Sequence, residues 1–270
     1  MARRRATKTV EADRFILRDQ QGEPRAVLET SKDGAPRLAL RDDKGKDRLE
    51  LLVARDGAPV LNFLDQQGKV RLGMLVAHGG DPDLNFLDKD GAIRLNLGVG
   101  QSGAPELGLL DRDEKSGLTL TLTPHGAVVL DVDREGKSRV SLVTSPDGGS
   151  ALQFFDNDET PRLVLGLTDG DVPMWGAIDA NGKTRVGITV APDGRTSVEW
   201  YDASGRLRLK LGVTAEGEPV LLVFDKKGKV VDQAGHGATE LIKSGAASIP
   251  RLIEAMESVA ELWKLAAPLL

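Results

Sequence analysis

The side chains most able to do chemistry in this chain are three histidines, His78, His125 and His236. Imidazole binds metals and exchanges protons near neutral pH. No two of these histidines stand at metal-ligand spacing, and the His-Glu-x-x-His pattern, which sets two imidazoles and a general base on one helix face, is absent. His78 and His125 fall in chain reversals and His236 just ahead of a change in sequence character, so exposed turn residues is the favoured reading. The chain has no cysteine, which excludes disulfides and thiolate metal sites. A serine nucleophile would have to borrow one of the three imidazoles, and there is no Gly-x-Ser-x-Gly elbow. The glycine patterns that cradle phosphates are missing too.

Carboxylates come closer to a site. Asp131, Asp133 and Glu135 alternate, and Asp156, Asp158 and Glu159 crowd together, which is oxygen chemistry suited to calcium. Asp133 and Asp156 also belong to a regular aspartate series, so a turn-building role is preferred for them. Trp175, Trp200 and Tyr201 offer faces on which a sugar could stack, although such residues more often fill gaps in a core. Thr119, Thr121 and Thr123 alternate as an ice-facing ladder would, but the other repeats lack the matching threonines. These features define the alternative function, a glycan- or calcium-binding repeat module. No cofactor is expected.

The elements that would position these residues are written as a repeat. An aspartate recurs at Asp19, Asp42, Asp65, Asp88, Asp111, Asp133, Asp156, Asp179, Asp202 and Asp225, always 23 residues apart except for one step of 22 between Asp111 and Asp133. Glycine follows three residues later in most copies, with Glu114 and Glu159 as substitutes. Arginine follows six residues later, at Arg25, Arg48, Arg71, Arg94, Arg139, Arg162, Arg185 and Arg208. Gly117 and Val231 replace it in the fifth and tenth copies, which together with the short step hints at two halves of five.

Around this marker, apolar and other residues alternate with period 2, as in Leu61, Phe63, Leu72 and Met74, the core candidates of their copy. Asp-x-x-Gly suits a type I turn with a bulge: the carboxylate caps turn amides and glycine takes the positive φ. Each arginine should pair with the aspartate of its own or a neighbouring copy. The predicted fold is all-β, ten hairpins of about 23 residues over 13–235. Twenty strands at about 4.8 Å spacing would make a flat sheet roughly 95 Å wide, which strand twist opposes. The antiparallel meander is therefore expected to curl into a solenoid, shell or prism-like form, or to pack on copies of itself.

The stretch WYDASGRLRLKLG, 200–212, resembles the YD repeat of Rhs-type and teneurin-type proteins, in which a Tyr-Asp-x-x-Gly-Arg hairpin recurs. That resemblance implies a curled β-shell. Elsewhere the tyrosine position holds Leu64, Leu87, Phe155 or Phe224.

The ends differ from the middle. Residues 1–12 read as a basic tail with Arg3-Arg4-Arg5 and Lys8. Over 236–270 apolar residues step by three and four: Ile249, Leu252, Met256, Val259, Trp263, Ala266 and Leu270. That spacing predicts a C-terminal α-helix that packs on its own chain, self-associates or lies on a membrane.

The net charge of −5 disfavours a broad nucleic-acid face. Neither a secretory signal nor a transmembrane stretch is read, and a cytoplasmic location is expected. Catalysis needs one copy to differ from the rest, and none does. The expected function is a non-enzymatic structural or interaction protein, a scaffold that assembles with itself, with a trimer as one form, or with another protein.

Overall fold

The computed structural model describes residues 9–32 and 34–234. Asp33, Arg3-Arg4-Arg5, Lys8, His236 and the expected C-terminal helix, with Ile249, Leu252, Met256, Val259, Trp263 and Ala266, lie outside the described residues. The described chain contains twenty strands and no helix. It forms two compact units, one ending at Gln101 and the other beginning at Ser102, with Arg112–Glu114 counted with the first. The boundary thus follows the fourth hairpin and does not halve the repeat.

The first unit holds β1 (Arg14–Arg18), β2 (Pro24–Thr30), β3 (Pro36–Arg41), β4 (Asp47–Val53), β5 (Pro59–Leu64), β6 (Val70–Val76), β7 (Pro82–Leu87) and β8 (Ile93–Val99). The second holds β9 (Pro105–Leu110), β10 (Ser116–Leu122), β11 (Val128–Arg134), β12 (Lys137–Thr144), β13 (Ser150–Phe155), β14 (Pro161–Leu167), β15 (Pro173–Ile178), β16 (Thr184–Val190), β17 (Thr196–Tyr201), β18 (Leu207–Val213), β19 (Pro219–Phe224) and β20 (Val230–Ala234). Within each unit every strand pairs antiparallel with the next in sequence, from β1 to β8 and from β9 to β20. Each strand has substantial contact only with its sequence neighbours, so among the described residues neither unit closes its last strand onto its first and no second layer covers either sheet.

Local chemistry explains the hairpins. In the third, Gly68 N donates to Asp65 O at 3.0 Å and Asp65 N to Lys69 O at 2.8 Å. Asp65 Oδ1 accepts the amides of Gln67 at 2.9 Å and Lys69 at 3.0 Å, and Gly68 takes a φ of 81°. The register then slips by one residue between Phe63 and Leu64, the bulge that a left-handed glycine after a type I turn produces. Glu114 and Glu159 occupy the glycine position at a φ of 59°.

The 22-residue step has a structural cause. Between β11 and β12 the chain reverses through Glu135 and Gly136 alone, both left-handed at 58° and 74°, a two-residue turn. Asp133 pairs with Ser138 as Leu64 pairs with Val70. Asp133 is therefore a strand residue, and the expectation that it caps a turn is corrected: the loop is one residue shorter, and the capping position is the one lost.

Candidate interaction surface

The pairings divide each sheet into two chemically different faces, because directly opposed residues point the same way. In the first unit one face carries two unbroken cross-strand rows. The first runs Phe15, Leu28, Leu38, Leu51, Leu61, Met74, Leu84, Leu97; the second runs Leu17, Ala26, Leu40, Leu49, Phe63, Leu72, Phe86, Leu95. No polar residue interrupts either. The other face carries the row Ile16, Val27, Ala39, Glu50, Asn62, Gly73, Asn85, Asn96 through the same pairings.

Exposure runs opposite to hydrophobicity. Val27 and Ala39, on the mixed face, are 1% exposed, whereas Leu51 is 48% and Met74 46% exposed on the apolar face. This corrects the reading of Phe63 and Met74 as core: they are rungs of an open face, and Leu61 and Leu72 beside them are only half-buried. The reason is geometric. Among the described residues there is one layer and nothing packs above the apolar rows, while on the mixed face short residues sit between long neighbours on the same strand, Val27 between Arg25 and Glu29, Ala39 between Arg37 and Arg41. Those long side chains fold over them and lock together: Arg14 pairs with Glu29 at 2.8 Å, Arg37 with Glu50 at 2.5 Å and with Asp47, and Arg41 with Asp47 at 2.7 Å. Further along, Asn96 Nδ2 donates to Asn85 Oδ1 at 2.9 Å and to Asp83 Oδ1 at 3.2 Å.

The second unit repeats the division. Leu109, Leu120, Leu142, Leu165, Ile188 and Leu211 are 40–47% exposed on its apolar face. The opposite face carries the row Gly108, Thr119, Asp131, Ser141, Gln153, Val164, Gly176, Gly187, Glu199, Lys210, Leu222. Several members are buried and polar. Glu199, 1% exposed, is paired with Lys210 at 2.8 Å and accepts the Tyr201 hydroxyl at 2.5 Å. Burial and the Glu199 carboxylate together push the Tyr201 hydroxyl well above its ordinary range. Asp131 Oδ1, Ser141 Oγ and Gln153 Oε1 are buried without a hydrogen-bond partner. Burial also raises the pKa of Asp131 and Asp133 above the usual carboxylate range, and each has another carboxylate nearby: Asp133 beside Asp131, Glu159 beside Asp133.

The remaining sequence candidates fall in place around these faces. The carboxyls of Asp19, Asp42, Asp65, Asp88, Asp156, Asp179 and Asp225 are held below the ordinary range, first by a backbone amide of their own turn; for Asp202 the Ser204 hydroxyl leads. Arg25 Nε donates to Asp19 at 2.6 Å, and Arg71, Arg94, Arg162 and Arg185 approach Asp65, Asp88, Asp156 and Asp179 at 3.6, 3.6, 3.2 and 3.4 Å. Arg48 and Arg208 each leave Nη1 buried without a partner, and Arg139 turns away from Asp133 to the Asp156 carbonyl.

Two contacts go beyond the sequence reading. The repeat arginine also reaches the backbone of the next hairpin: Arg71 Nε donates to Leu87 O at 2.9 Å, Arg162 Nε to Ile178 O at 2.8 Å and Arg185 Nε to Tyr201 O at 3.1 Å. A cation four residues after the repeat aspartate links successive turns, Lys46 to Gln66 O at 2.9 Å, Lys69 to Lys89 O at 2.7 Å and Arg206 to Lys226 O at 3.1 Å. The recurrence of Lys or Arg at that offset was the available signal.

Trp175 and Trp200 lie on the apolar face, opposite Ile188 and Val186, while Tyr201 is buried on the other side, so the three do not form one platform. Thr119 and Thr121 are buried. His78 contacts the Asp56 carbonyl at 3.0 Å from an exposed turn. Among the described residues, no three His, Asp or Glu side chains are placed to hold a metal ion.

No known protein family matches the chain, and no curated protein does. Among solved structures the chain is similar to the TCP domain of SAS-4 (dCPAP) of Drosophila melanogaster, solved in complex with a proline-rich motif of Ana2 (dSTIL). The two share 13% identity over 74% of this chain and 97% of that one, with a TM-score of 0.35.

Proposed function

We propose that this chain is a non-enzymatic structural or interaction protein, a β-repeat scaffold that works by binding protein and assembles with copies of itself. The observation that carries this reading is the apolar face: every exposed large hydrophobic residue within β1–β8 lies on one side of its sheet. Monomeric proteins rarely leave contiguous apolar patches larger than a few hundred Å², and larger ones mark interaction sites. The polar groups of the repeat support the same reading, because most of its aspartates cap turns and several of its arginines tie successive hairpins together. Sedimentation velocity and native mass spectrometry of the full chain at low micromolar concentration test the proposal. Oligomers are expected; a soluble monomer that acquires no protein cross-link in its native cell sinks it.

A further inference from the structure

We infer that the apolar face of β1–β8 is a homodimer interface, packed face to face on the same surface of a second copy. The inference rests on the scaffold reading and specifies its surface and its occupant.

The chemistry of the face selects the partner. Its two rows contain only Leu, Phe, Met and Ala, with no group to hydrogen-bond a peptide backbone or to pair with a charge. What complements a ladder of apolar rungs about 4.8 Å apart is another such ladder, since stacked sheets interdigitate their inner side chains about 10 Å apart. The chain itself provides that ladder, and a face that meets its own copy closes with twofold symmetry.

The area is sufficient. Eleven large hydrophobic residues of β1–β8, Leu51, Phe63, Met74, Phe86 and Leu97 among them, are 38–66% exposed. At roughly 80 Å² apiece they leave about 900 Å² open, close to the 800 Å² per partner of a standard stable interface.

The chain's own C-terminal segment is a poorer fit. It offers one apolar seam, Ile249 to Leu270, whereas β9–β19 present a further thirteen large hydrophobic residues at 37–47% exposure.

The test uses the full chain. Sedimentation velocity should give a dimer at 10 µM. The variant Leu51→Lys/Met74→Lys, which sets two charges in the middle of one row, should weaken dimerisation at least 100-fold while keeping the strand circular dichroism. A photo-reactive benzoylphenylalanine at position 51 should give an adduct of twice the chain mass, and the same group at position 52, on the opposite face, should not; this second arm does not depend on how the lysine variant folds. A wild-type monomer at 100 µM, an adduct of any other mass at position 51, or capture of the monomer by neutral phosphatidylcholine vesicles overturns the inference. If the lysine variant folds and stays oligomeric, self-assembly stands and this interface falls.

Discussion

Replacing Lys210 with methionine should destabilise the second unit far more than replacing it together with its partner. Lys210 Nζ lies 2.8 Å from Glu199 Oε1, with side-chain exposures of 12% and 2%, on directly opposed positions of β18 and β17. Without the ammonium, the carboxylate keeps only the Tyr201 hydroxyl at 2.5 Å and the Ser197 hydroxyl at 3.4 Å. Removing one member of a buried ion pair costs roughly 3–5 kcal/mol, whereas replacing both by neutral groups of similar volume is often close to neutral. Lys210→Met should therefore lose about 3 kcal/mol at pH 7, and Glu199→Gln/Lys210→Met should return to within about 1 kcal/mol of wild type. Urea unfolding followed by tryptophan fluorescence at pH 7 measures both variants, since Trp175 and Trp200 stand in β15 and β17. A loss below about 1 kcal/mol, or a double variant no better than the single one, would refute the assignment of Glu199–Lys210 as a buried pair.

Gly166→Ala should cost about 3 kcal/mol in the same assay, because the new Cβ would sit 2.1 Å from Ser150 O and 2.9 Å from Ala151 Cα, backbone that cannot step aside; a neutral effect would mean that β13 and β14 are not held so closely. Asp131→Asn should raise the urea midpoint at pH 7. Burial raises the pKa of Asp131, so its charged form is penalised above that pKa and the penalty vanishes as pH falls below the unfolded value of about 3.9. The advantage of the variant should therefore disappear near pH 3, and a lowered midpoint at pH 7 would count against it. The turn aspartates carry the opposite sign. Their depressed pKa values contribute stability above about pH 3.9 that is lost as pH falls through the folded values. Strand circular dichroism should thus begin to fall below about pH 4, and a signal unchanged at pH 2 would contradict that contribution.

The repeat aspartate and glycine were readable because turn chemistry is local. Asp65 caps amides two and four residues away and Gly68 takes the one backbone conformation that the turn requires. The same locality explains where that reading failed. Asp133 has the right spacing to Gly136, yet a loop one residue shorter moves it into the strand. An aspartate and a glycine three apart do not report how many residues lie in the loop.

Sequence alone determined the all-β character, the hairpin unit and the partition of each strand into alternating faces, since each depends on residues within one hairpin; that Arg25 takes the aspartate of its own copy, Asp19, was decided by the structure. Tertiary structure alone decided which face is covered. Leu51 and Met74 are the more hydrophobic and stand open, while Val27, Ala39 and the polar Glu199 and Ser141 are buried. Burial is a property of what packs above a residue, and in the single layer of strands that the described residues form, long neighbouring side chains do the covering. It likewise decided that Arg71 reaches the Leu87 carbonyl, a partner 16 residues away that comes within 2.9 Å only because each hairpin pairs with the next.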